Sequence, residues 1–291
     1  SRDYFIGKDQ KPVTIGETLP QSMIDFMPKA IVGLTHLMAK KPKKGTQIFH
    51  QYATAIPVGT AIAQSWDPGV AEICGDVVGS EMEHFGVHLW LAPAMNIHRD
   101  IRCGRNYEYY SEDPLLSGLF AAGITKGVQK HAKCGTTIKH FCANNQETNR
   151  YANNSIVSER ALREIYLRGF AICIRESRPH ALMTSYNLLN GVHTSERRDI
   201  AQDFLKAECG FEGIIMTDWT TTNALGGASA AKCVAAGNDV VMPGKESDVL
   251  EILDALERKG DLRLDEKDLD DCVRRVLTRM LALHCGRTEE A

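Results

Sequence analysis

The chain has 291 residues, which is long enough for one large domain or two small ones. Hydrophobic residues make up 43% and charged residues 24%, as in ordinary globular proteins, and the net charge of −3 offers no basic surface for nucleic acid or an anionic membrane. No apolar run approaches the length of a membrane span, and no signal peptide opens the chain.

The cysteine pattern bears on location and on metal binding. The nine cysteines are scattered, odd in number and without a CxxC pair, which favours reduced thiols over a disulfide framework or a zinc site. We therefore expect a cytoplasmic protein with no metal and no organic cofactor. His84 and His88 stand four residues apart, but no HExxH pattern surrounds them, so they are interpreted as ordinary helix histidines.

Residues 1–50 contain no clear βα unit and are expected to form an irregular segment that leads into the main domain. Within it, the basic run KKPKKG at residues 40–45 is more typical of a solvated loop than of a binding patch.

From residue 51 onward, short apolar runs alternate with helix-like segments. Asp67-Pro68 and Asp113-Pro114 predict helix starts with aspartate as the N-cap and proline at the first helical position, and Ser158 precedes a third helix. The strand-like runs cover residues 87–96, 136–145, 180–187, 213–219 and 238–244. This alternation predicts βαβ units and a parallel sheet, and hence an α/β fold.

Two observations favour a (β/α)8 TIM-type barrel over a nucleotide-binding open sheet. No GxGxxG or GxxxxGK[ST] motif occurs, and polar side chains follow several different strands, as at the C-terminal face of a barrel. Only five strands are evident where eight are needed. We therefore expect residues 51–291 to form a barrel domain that is incomplete at its N-terminal part.

The residues that could carry chemistry gather at the predicted C-terminal edge of the sheet. They are Arg99, Arg102, Arg105, Lys139, His140, Tyr186, Asp218 and Trp219. Nearby cations favour the charged form of a carboxylate, which suits Asp218 to the role of a nucleophile. The indole of Trp219 offers an apolar face to a pyranose ring, and the cationic side chains are donors for hydroxyl groups. Together these residues indicate a sugar site.

Simpler interpretations exist for single positions. Taken alone, an aspartate at a strand end such as Asp218 is more often a helix N-cap than a nucleophile. Arg105 and Glu108 could form a structural ion pair, and Glu112 could favour a helix start through the helix dipole. Asn144 and Asn145 are residue types common in loops.

Several long motifs nevertheless stand in a fixed order. They are CGRNYEYYSEDPLLSG (103–118), KHFCANNQETNR (139–150), ERALREIYLRGF (159–170), MTSYNLLNG (183–191), GFEGIIMTDW (210–219) and AGNDVVMPG (236–244). The chain thereby resembles glycoside hydrolase family 3, the β-glucosidase-like exo-glycosidases, over roughly residues 50–285. The resemblance implies a (β/α)8-type barrel and a retaining double displacement.

The resemblance also implies roles for individual residues. Asp218 would be the nucleophile. Arg105, Lys139 and His140 would hold sugar hydroxyls, Tyr186 would lie beside the nucleophile, and Trp219 would line the neighbouring subsite. Secondary substrate-binding residues would be Glu147, Arg150 and Met216.

Departures from the family pattern indicate what the chain lacks. An Asp-Gly-Pro segment that supplies a sugar-binding aspartate has no counterpart before residue 50, and CANNQE replaces the Pro-Gly-His-Gly loop of the N-acetylglucosaminidase branch. Outside that branch the general acid/base is usually a glutamate of a second, α/β sandwich domain, which does not fit in this chain. We therefore expect a fragment of a longer protein, with that domain as its partner.

The predicted function is exo-hydrolysis of a terminal β-linked sugar, most simply glucose, from a β-glycoside or small oligosaccharide. The isolated chain could be inactive. Glu108 and Glu112 are acid candidates within the chain, but a glutamate outside it is preferred. Alternatives are a sugar-binding remnant without turnover and a Schiff-base aldolase that uses Lys139. Because an incomplete barrel exposes strand edges and apolar surface, self-association is also expected.

Overall fold

The computed structural model of the protein describes residues 2–6, 12–14, 47–222, 226–258 and 263–285. The chain divides into two compact units, residues 1–55 and residues 56–291. In the described ranges, no helix combines the length and the apolar character needed to cross a bilayer.

The first unit contains three antiparallel strands where we expected irregular structure. They are β1 (Arg2–Ile6), β2 (Pro12–Thr14) and β3 (Gln47–Gln51), in the order β2-β1-β3. Tyr4 pairs with Thr14 on one side and with Phe49 on the other. Antiparallel pairing needs no crossover helix, which agrees with the lack of a βα pattern in the sequence. The basic run at residues 40–45 lies outside the described residues.

The helices among the described residues lie in the second unit. They are α1 (Gly59–Ala63), α2 (Pro68–Phe85), α3 (Pro114–Gln129), α4 (Glu159–Ala161), α5 (Arg168–Ser177), α6 (Ala230–Ala236), α7 (Glu246–Leu256) and α8 (Glu266–Cys285). Two π-helical segments (Leu162–Tyr166 and Asp199–Glu208) and a 3₁₀ turn (Thr194–Glu196) lie between them.

The three predicted helix starts are confirmed. Asp67 and Asp113 accept hydrogen bonds from the backbone N–H groups two residues on, at 2.8 and 2.7 Å, and proline follows each of them. The Ser158 hydroxyl accepts from the backbone N–H of Ala161 at 3.3 Å. These side chains satisfy N–H groups that the first turn of a helix leaves without partners.

The described strands of the second unit form two sheets. They are β4 (Leu89–Trp90), β5 (Gly135–Phe141), β6 (Asn154–Ser155), β7 (Ala181–Thr184), β8 (Leu188–Leu189), β9 (Val192–His193) and β10 (Ile214–Met216). The main sheet is parallel with the order β4-β5-β7-β10, and a bridge from Met216 to Val240 adds the fifth predicted segment. The protein is thus α/β with a parallel sheet. The described strands do not close into a barrel.

Both faces of the main sheet are covered, as a parallel sheet requires. Successive residues of a strand point to opposite faces. Ile138, Leu182 and Ile215 therefore face one side, in a core with phenylalanines that include Phe120 of α3 and Phe170 of α5. On the opposite side, Met183 and Met216 share a smaller cluster with Val276 of α8. The packing on both faces holds each strand in place and so determines where its carboxyl end lies in the sheet.

Candidate active site

The predicted site residues meet at the carboxyl ends of three neighbouring strands. Lys139 and His140 lie at the end of β5, Tyr186 lies two residues after β7, and Asp218 lies two residues after β10. Because these strands are parallel and adjacent in the sheet, their ends share one edge. The polar side chains therefore converge although they are up to 79 positions apart in the sequence.

Asp218 is not a helix N-cap. Residues 219–222 form turns, and the next helix among the described residues, α6, begins at Ala230 with Ser229 as its cap. Asp218 is 5% exposed, and its Oδ1 accepts a hydrogen bond from the backbone N–H of Trp219 at 2.7 Å. Its Oδ2 has no hydrogen-bond partner in the described part of the chain. One carboxylate oxygen is thus fixed by the backbone, while the other is a buried acceptor without a described hydrogen-bond partner.

The electrostatic surroundings of Asp218 combine opposing effects. Burial raises the pKa of the carboxyl above its usual value. The hydrogen bond from Trp219 and the charges of Lys139 and Arg105 act in the opposite direction, as does the Tyr186 hydroxyl. We expected the cations to dominate. They are present, but the desolvation of a nearly buried carboxylate outweighs them.

Lys139 and His140 differ in how far they reach solvent. Lys139 is partly buried, and burial lowers its pKa. His140 is 1% exposed, and burial, with help from Arg105 and Lys139, holds its pKa well below the usual range. Its imidazole is therefore neutral near pH 7. Its Nε2 lies 3.7 Å from Asp218 Oδ2.

Of the three arginines predicted at this edge, only Arg105 belongs to the cluster. Arg99 is exposed, and Arg102 pairs with Asp100 at 3.0 Å with its side chain largely in solvent. The guanidinium of Arg105 forms an ion pair with Glu108, as the simpler interpretation anticipated, and lies 3.8 Å from Glu147 Oε1. These carboxylates orient the guanidinium, and its charge lowers the pKa of Asp218.

A second group of side chains surrounds Tyr186. The Tyr186 hydroxyl donates to the backbone carbonyl of Trp219 at 2.7 Å. The guanidinium of Arg150 lies 4.4 Å from the centre of the Tyr186 ring and donates to Glu147 Oε2 at 3.2 Å. The Trp219 side chain is 49% exposed, so its face is accessible next to the buried carboxylate.

Met216 stands apart from these polar side chains. It is 4% exposed and packs with Ala181, Met183 and Ile214 on the face of the sheet that α8 covers. Its placement is that of a core residue at the base of the segment that carries Asp218.

Two buried residues of this region, Asn96 and Tyr109, were not among the predicted site residues, and Asn144 was interpreted only as a loop residue. Asn144 donates to Tyr109 Oη at 3.4 Å and to Glu147 Oε1 at 3.0 Å. It thereby connects Glu147, which pairs with Arg150, to the Tyr109 ring, which packs against His140. Asn96 hydrogen-bonds the backbone of His140. A signal for Asn96 was present, because this polar residue ends a strand-like run in the same way as Asp218.

Metal and disulfide chemistry gain no support from the described ranges. They contain no group of three histidine, cysteine or acidic side chains that could hold a metal ion. The eight cysteines from Cys74 to Cys272 are free thiols.

Comparison with known proteins gives consistent matches. The profile described as Glycosyl hydrolase family 3 N terminal domain matches residues 9–279. Beta-glucosidase B of Emericella nidulans is 40% identical over 235 residues, which are 80% of this chain and 27% of that protein. Beta-glucosidase A of Butyrivibrio fibrisolvens is 41% identical over 222 residues, or 75% of this chain and 26% of that protein.

Solved structures agree with these matches. The structure of beta-glucosidase 3B from Thermotoga neapolitana in complex with glucose is 43% identical with a TM-score of 0.75, and it matches 84% of this chain and 34% of that chain. The present chain spans about a quarter of the length of the curated relatives that it matches. From the profile match and these identities, the chain belongs to glycosyl hydrolase family 3.

Proposed function

We propose that the chain carries the nucleophile half of a retaining exo-glycosidase active site, with Asp218 as the nucleophile. The observation that supports this most directly is the state of its carboxylate. One oxygen is held by the Trp219 backbone, and the other has no hydrogen-bond partner in the described part of the chain, next to donor groups of Lys139 and Arg105. Such a group can attack an anomeric carbon.

The reaction would follow a double displacement. Asp218 Oδ2 forms a bond to the anomeric carbon while the glycosidic bond breaks, and water later hydrolyses the resulting ester with retention of configuration. The ionised carboxylate is the reactive form. Lys139 and Arg105 favour that form against the effect of burial. The neutral imidazole of His140 can donate to a sugar hydroxyl without repelling either cation.

The general acid/base is proposed to come from outside this chain. A retaining enzyme needs a second carboxyl about 5 to 5.5 Å from the first. Glu108 is engaged in an ion pair with Arg105, and Glu147 contacts both Arg105 and Arg150. Glu112 is exposed next to the cap of α3. A glutamate of an α/β sandwich domain in the longer protein fits better, and the greater length of the relatives leaves room for it.

The parallel sheet of residues 51–291 is proposed to be part of an eight-stranded barrel that this chain contains only in part. Its strands follow one another in chain order, β4, β5, β7, β10 and then the Val240 segment. A barrel has this sequential order, whereas a doubly wound sheet reverses it at a switch point. The remaining strands would be supplied by the longer protein.

The proposed substrate is a β-glucoside or a small oligosaccharide with a terminal β-linked glucose. Relatives named beta-glucosidases, and the Thermotoga structure in complex with glucose, support this class. The exposed face of Trp219 can stack on the apolar side of a sugar ring beside the buried carboxylate. Glu147 and Arg150 lie where they can contact a further hydroxyl.

Covalent trapping tests the proposal. The chain is incubated with 2,4-dinitrophenyl 2-deoxy-2-fluoro-β-glucoside, whose good leaving group reduces the need for an acid, and is examined by intact mass and peptide mapping. We expect one fluorosugar on Asp218 and none on Asp218→Asn. An adduct on a different residue, or labelling of the variant at the wild-type rate, would exclude Asp218 as the nucleophile.

One observation keeps a Schiff-base function as a second candidate. Burial lowers the pKa of Lys139, and a desolvated lysine of this kind can attack a carbonyl. Borohydride treatment with a small aldehyde or ketone substrate would then trap an adduct on Lys139. If neither reagent labels the chain while a fluorosugar-sized ligand still binds, the sugar-binding remnant is the remaining interpretation.

A further inference from the structure

The backbone of His140 lies at a break in the pairing of β5. On one side, β5 pairs with β7 at Ile138 and resumes at Phe141 after a register shift. On the other side, the segment that follows β4 forms backbone hydrogen bonds with β5 only as far as Lys139. The Lys139 N–H donates to the carbonyl of Pro93 at 3.0 Å, and the Lys139 carbonyl accepts from the N–H of Met95 at 2.7 Å.

Beyond Lys139, the side chain of Asn96 replaces backbone groups as the hydrogen-bond partner of β5. The backbone N–H of His140 donates to Asn96 Oδ1 at 2.9 Å, and Asn96 Nδ2 donates to the His140 carbonyl at 2.8 Å. A carboxamide has the same donor and acceptor set as a peptide unit, so it can replace a strand residue. Asn96 and His140 are 2% and 1% exposed. Loss of these bonds would leave backbone groups buried without partners, which is unfavourable.

We propose that Asn96 is a positioning residue that sets where the Lys139 and His140 side chains stand relative to Asp218. Asn96 hydrogen-bonds the backbone of His140, and Lys139 is the residue immediately before it. The distance of 3.7 Å from His140 Nε2 to Asp218 Oδ2 depends on that backbone position. This inference rests on the proposed function, since positioning matters only if these side chains bind the sugar.

A purely structural role would predict less. An asparagine that only satisfies buried backbone groups would affect stability but would leave the chemistry of the folded fraction unchanged. A matched control exists in Asn238, which is 1% exposed and donates to the carbonyls of Ser195 and Cys233 at 2.6 and 3.0 Å. Asn238→Ala removes these two buried bonds and the bond that Asn238 Oδ1 accepts from Thr184 Oγ1 at 3.3 Å, and none of the three involves Lys139, His140 or Asp218.

The experiment uses the whole chain with Asn96→Ala, Asn96→Asp and Asn238→Ala. The first readout is the rate of labelling by 2,4-dinitrophenyl 2-deoxy-2-fluoro-β-glucoside at saturating reagent, per folded molecule. The second is the imidazole ¹⁵N spectrum of His140, assigned with His140→Gln. Asn96→Asp is isosteric and keeps an acceptor for the His140 N–H, so it serves if Asn96→Ala fails to fold.

We expect labelling of Asn96→Ala to be roughly ten- to a hundredfold slower, as for a displacement of about 1 Å, with a smaller loss in Asn96→Asp. The His140 signals should move in both variants, while Asn238→Ala retains the wild-type rate and spectrum. Wild-type labelling together with unmoved His140 signals in the Asn96 variants would overturn the inference. If the wild-type chain is not labelled, the proposed function fails separately, and the His140 spectrum alone decides whether Asn96 positions this residue.

Discussion

His140 Nε2 lies 3.7 Å from Asp218 Oδ2, and both side chains are almost fully buried. They do not form an ion pair near pH 7, because burial holds the pKa of His140 well below its usual range. The charge of the Asp218 carboxylate must therefore be balanced by Lys139 and Arg105. Since burial still raises the pKa of Asp218, the site holds a carboxylate that is less stable in its ionised form than an exposed one.

The first prediction is that Asp218→Asn stabilises the fold near pH 7. With a pKa raised in the folded state, Asp218 binds its proton more tightly there than in the unfolded chain. Ionised Asp218 therefore destabilises the fold fully above that pKa, and this effect is lost as the pH falls from it to the pKa of the unfolded chain. Asparagine can keep the bond from the Trp219 N–H without a charge. We expect the melting temperature to rise by about 2 °C or more at pH 7.

Asp199→Asn is the control, for which we expect the melting temperature to change in the opposite direction. The hydrogen bond and charge of Arg197 lower the pKa of Asp199, so its ionised form favours the folded state. This variant should melt at a lower temperature than the wild type near pH 7. Calorimetry between pH 4 and 8 compares the two, and a lower melting temperature for Asp218→Asn would contradict the stated balance of burial and cations.

The elements that position the site could be predicted from local patterns. An apolar run that ends on a polar residue marks the end of a buried strand, which placed Lys139, Tyr186 and Asp218 on one edge. The degree of burial could not be predicted, because it depends on side chains packed from other elements. Neighbouring arginines such as Arg102 and Arg105 lie in a segment of turns, where no periodicity tells which one points inward.

The proposed role of Asn96 could not be predicted from the sequence for a related reason. It depends on a local register shift between β5 and β7, which is set by the packing of segments that are distant in the sequence. The N-cap interpretation of Asp218 was wrong because residues 219–222 form turns instead of a helix. The local sequence preference of aspartate at a strand end favours a helix N-cap, but tertiary packing places turns after Asp218.

The second prediction concerns His131, which links α2 to the end of α3. Its Nδ1 lies 3.0 Å from Glu83 Oε2, and its Nε2 lies 3.0 Å from Asp76 Oδ1. Partial burial lowers the pKa of His131, but its hydrogen bonds to the two carboxylates outweigh this effect and the net pKa is raised. The protonated form therefore stabilises the fold. This contribution is fully present below about pH 6.5 and is lost as the pH rises through the folded-state value.

Thermal melts of His131→Gln across pH 5.5 to 9 test this assignment. The variant should melt below the wild type at low pH, and the gap should close as the pH rises. His84→Gln serves as the control, since His84 is exposed on the same helix pair. A gap that stayed constant over the whole range would mean that His131 contributes packing instead of charge.

The third prediction is that Trp219→Ala weakens sugar binding without slowing the chemical step. The indole is half exposed, and it would contact the ring of the sugar and not the reacting bond. Removing contacts that are equal in the ground state and transition state changes affinity alone. We expect about a tenfold increase in the concentration of fluoroglucoside that gives half-maximal labelling, equivalent to about 1.4 kcal/mol. The maximal labelling rate should stay within about twofold of wild type.

Trp66→Ala is the matched control, because Trp66 is 71% exposed in the turn before α2. It should leave both labelling parameters unchanged. A large fall in the maximal rate of Trp219→Ala would instead place the indole, or the backbone carbonyl that Tyr186 contacts, in the positioning of the nucleophile.

The fourth prediction is that the isolated chain self-associates through α8. Val273, Leu277, Met280 and Leu281 are 48%, 54%, 60% and 64% exposed. Their spacing of three and four residues places them on one side of the helix, so they form an apolar stripe in solvent. Such stripes are usually covered in a complete protein. Light scattering should therefore report a mass above that of a monomer at micromolar concentration.

Leu277→Lys with Leu281→Lys should shift this chain toward the monomer, because it places charges within the stripe. Ile101→Lys is the control. Ile101 is 96% exposed but stands outside any helix, so its replacement should leave the mass unchanged. Since all these side chains already lie in solvent, none of the substitutions should lower the melting temperature by more than about 2 °C. A wild-type chain that is monomeric by light scattering and melts cooperatively would show that the stripe on α8 is tolerated in water.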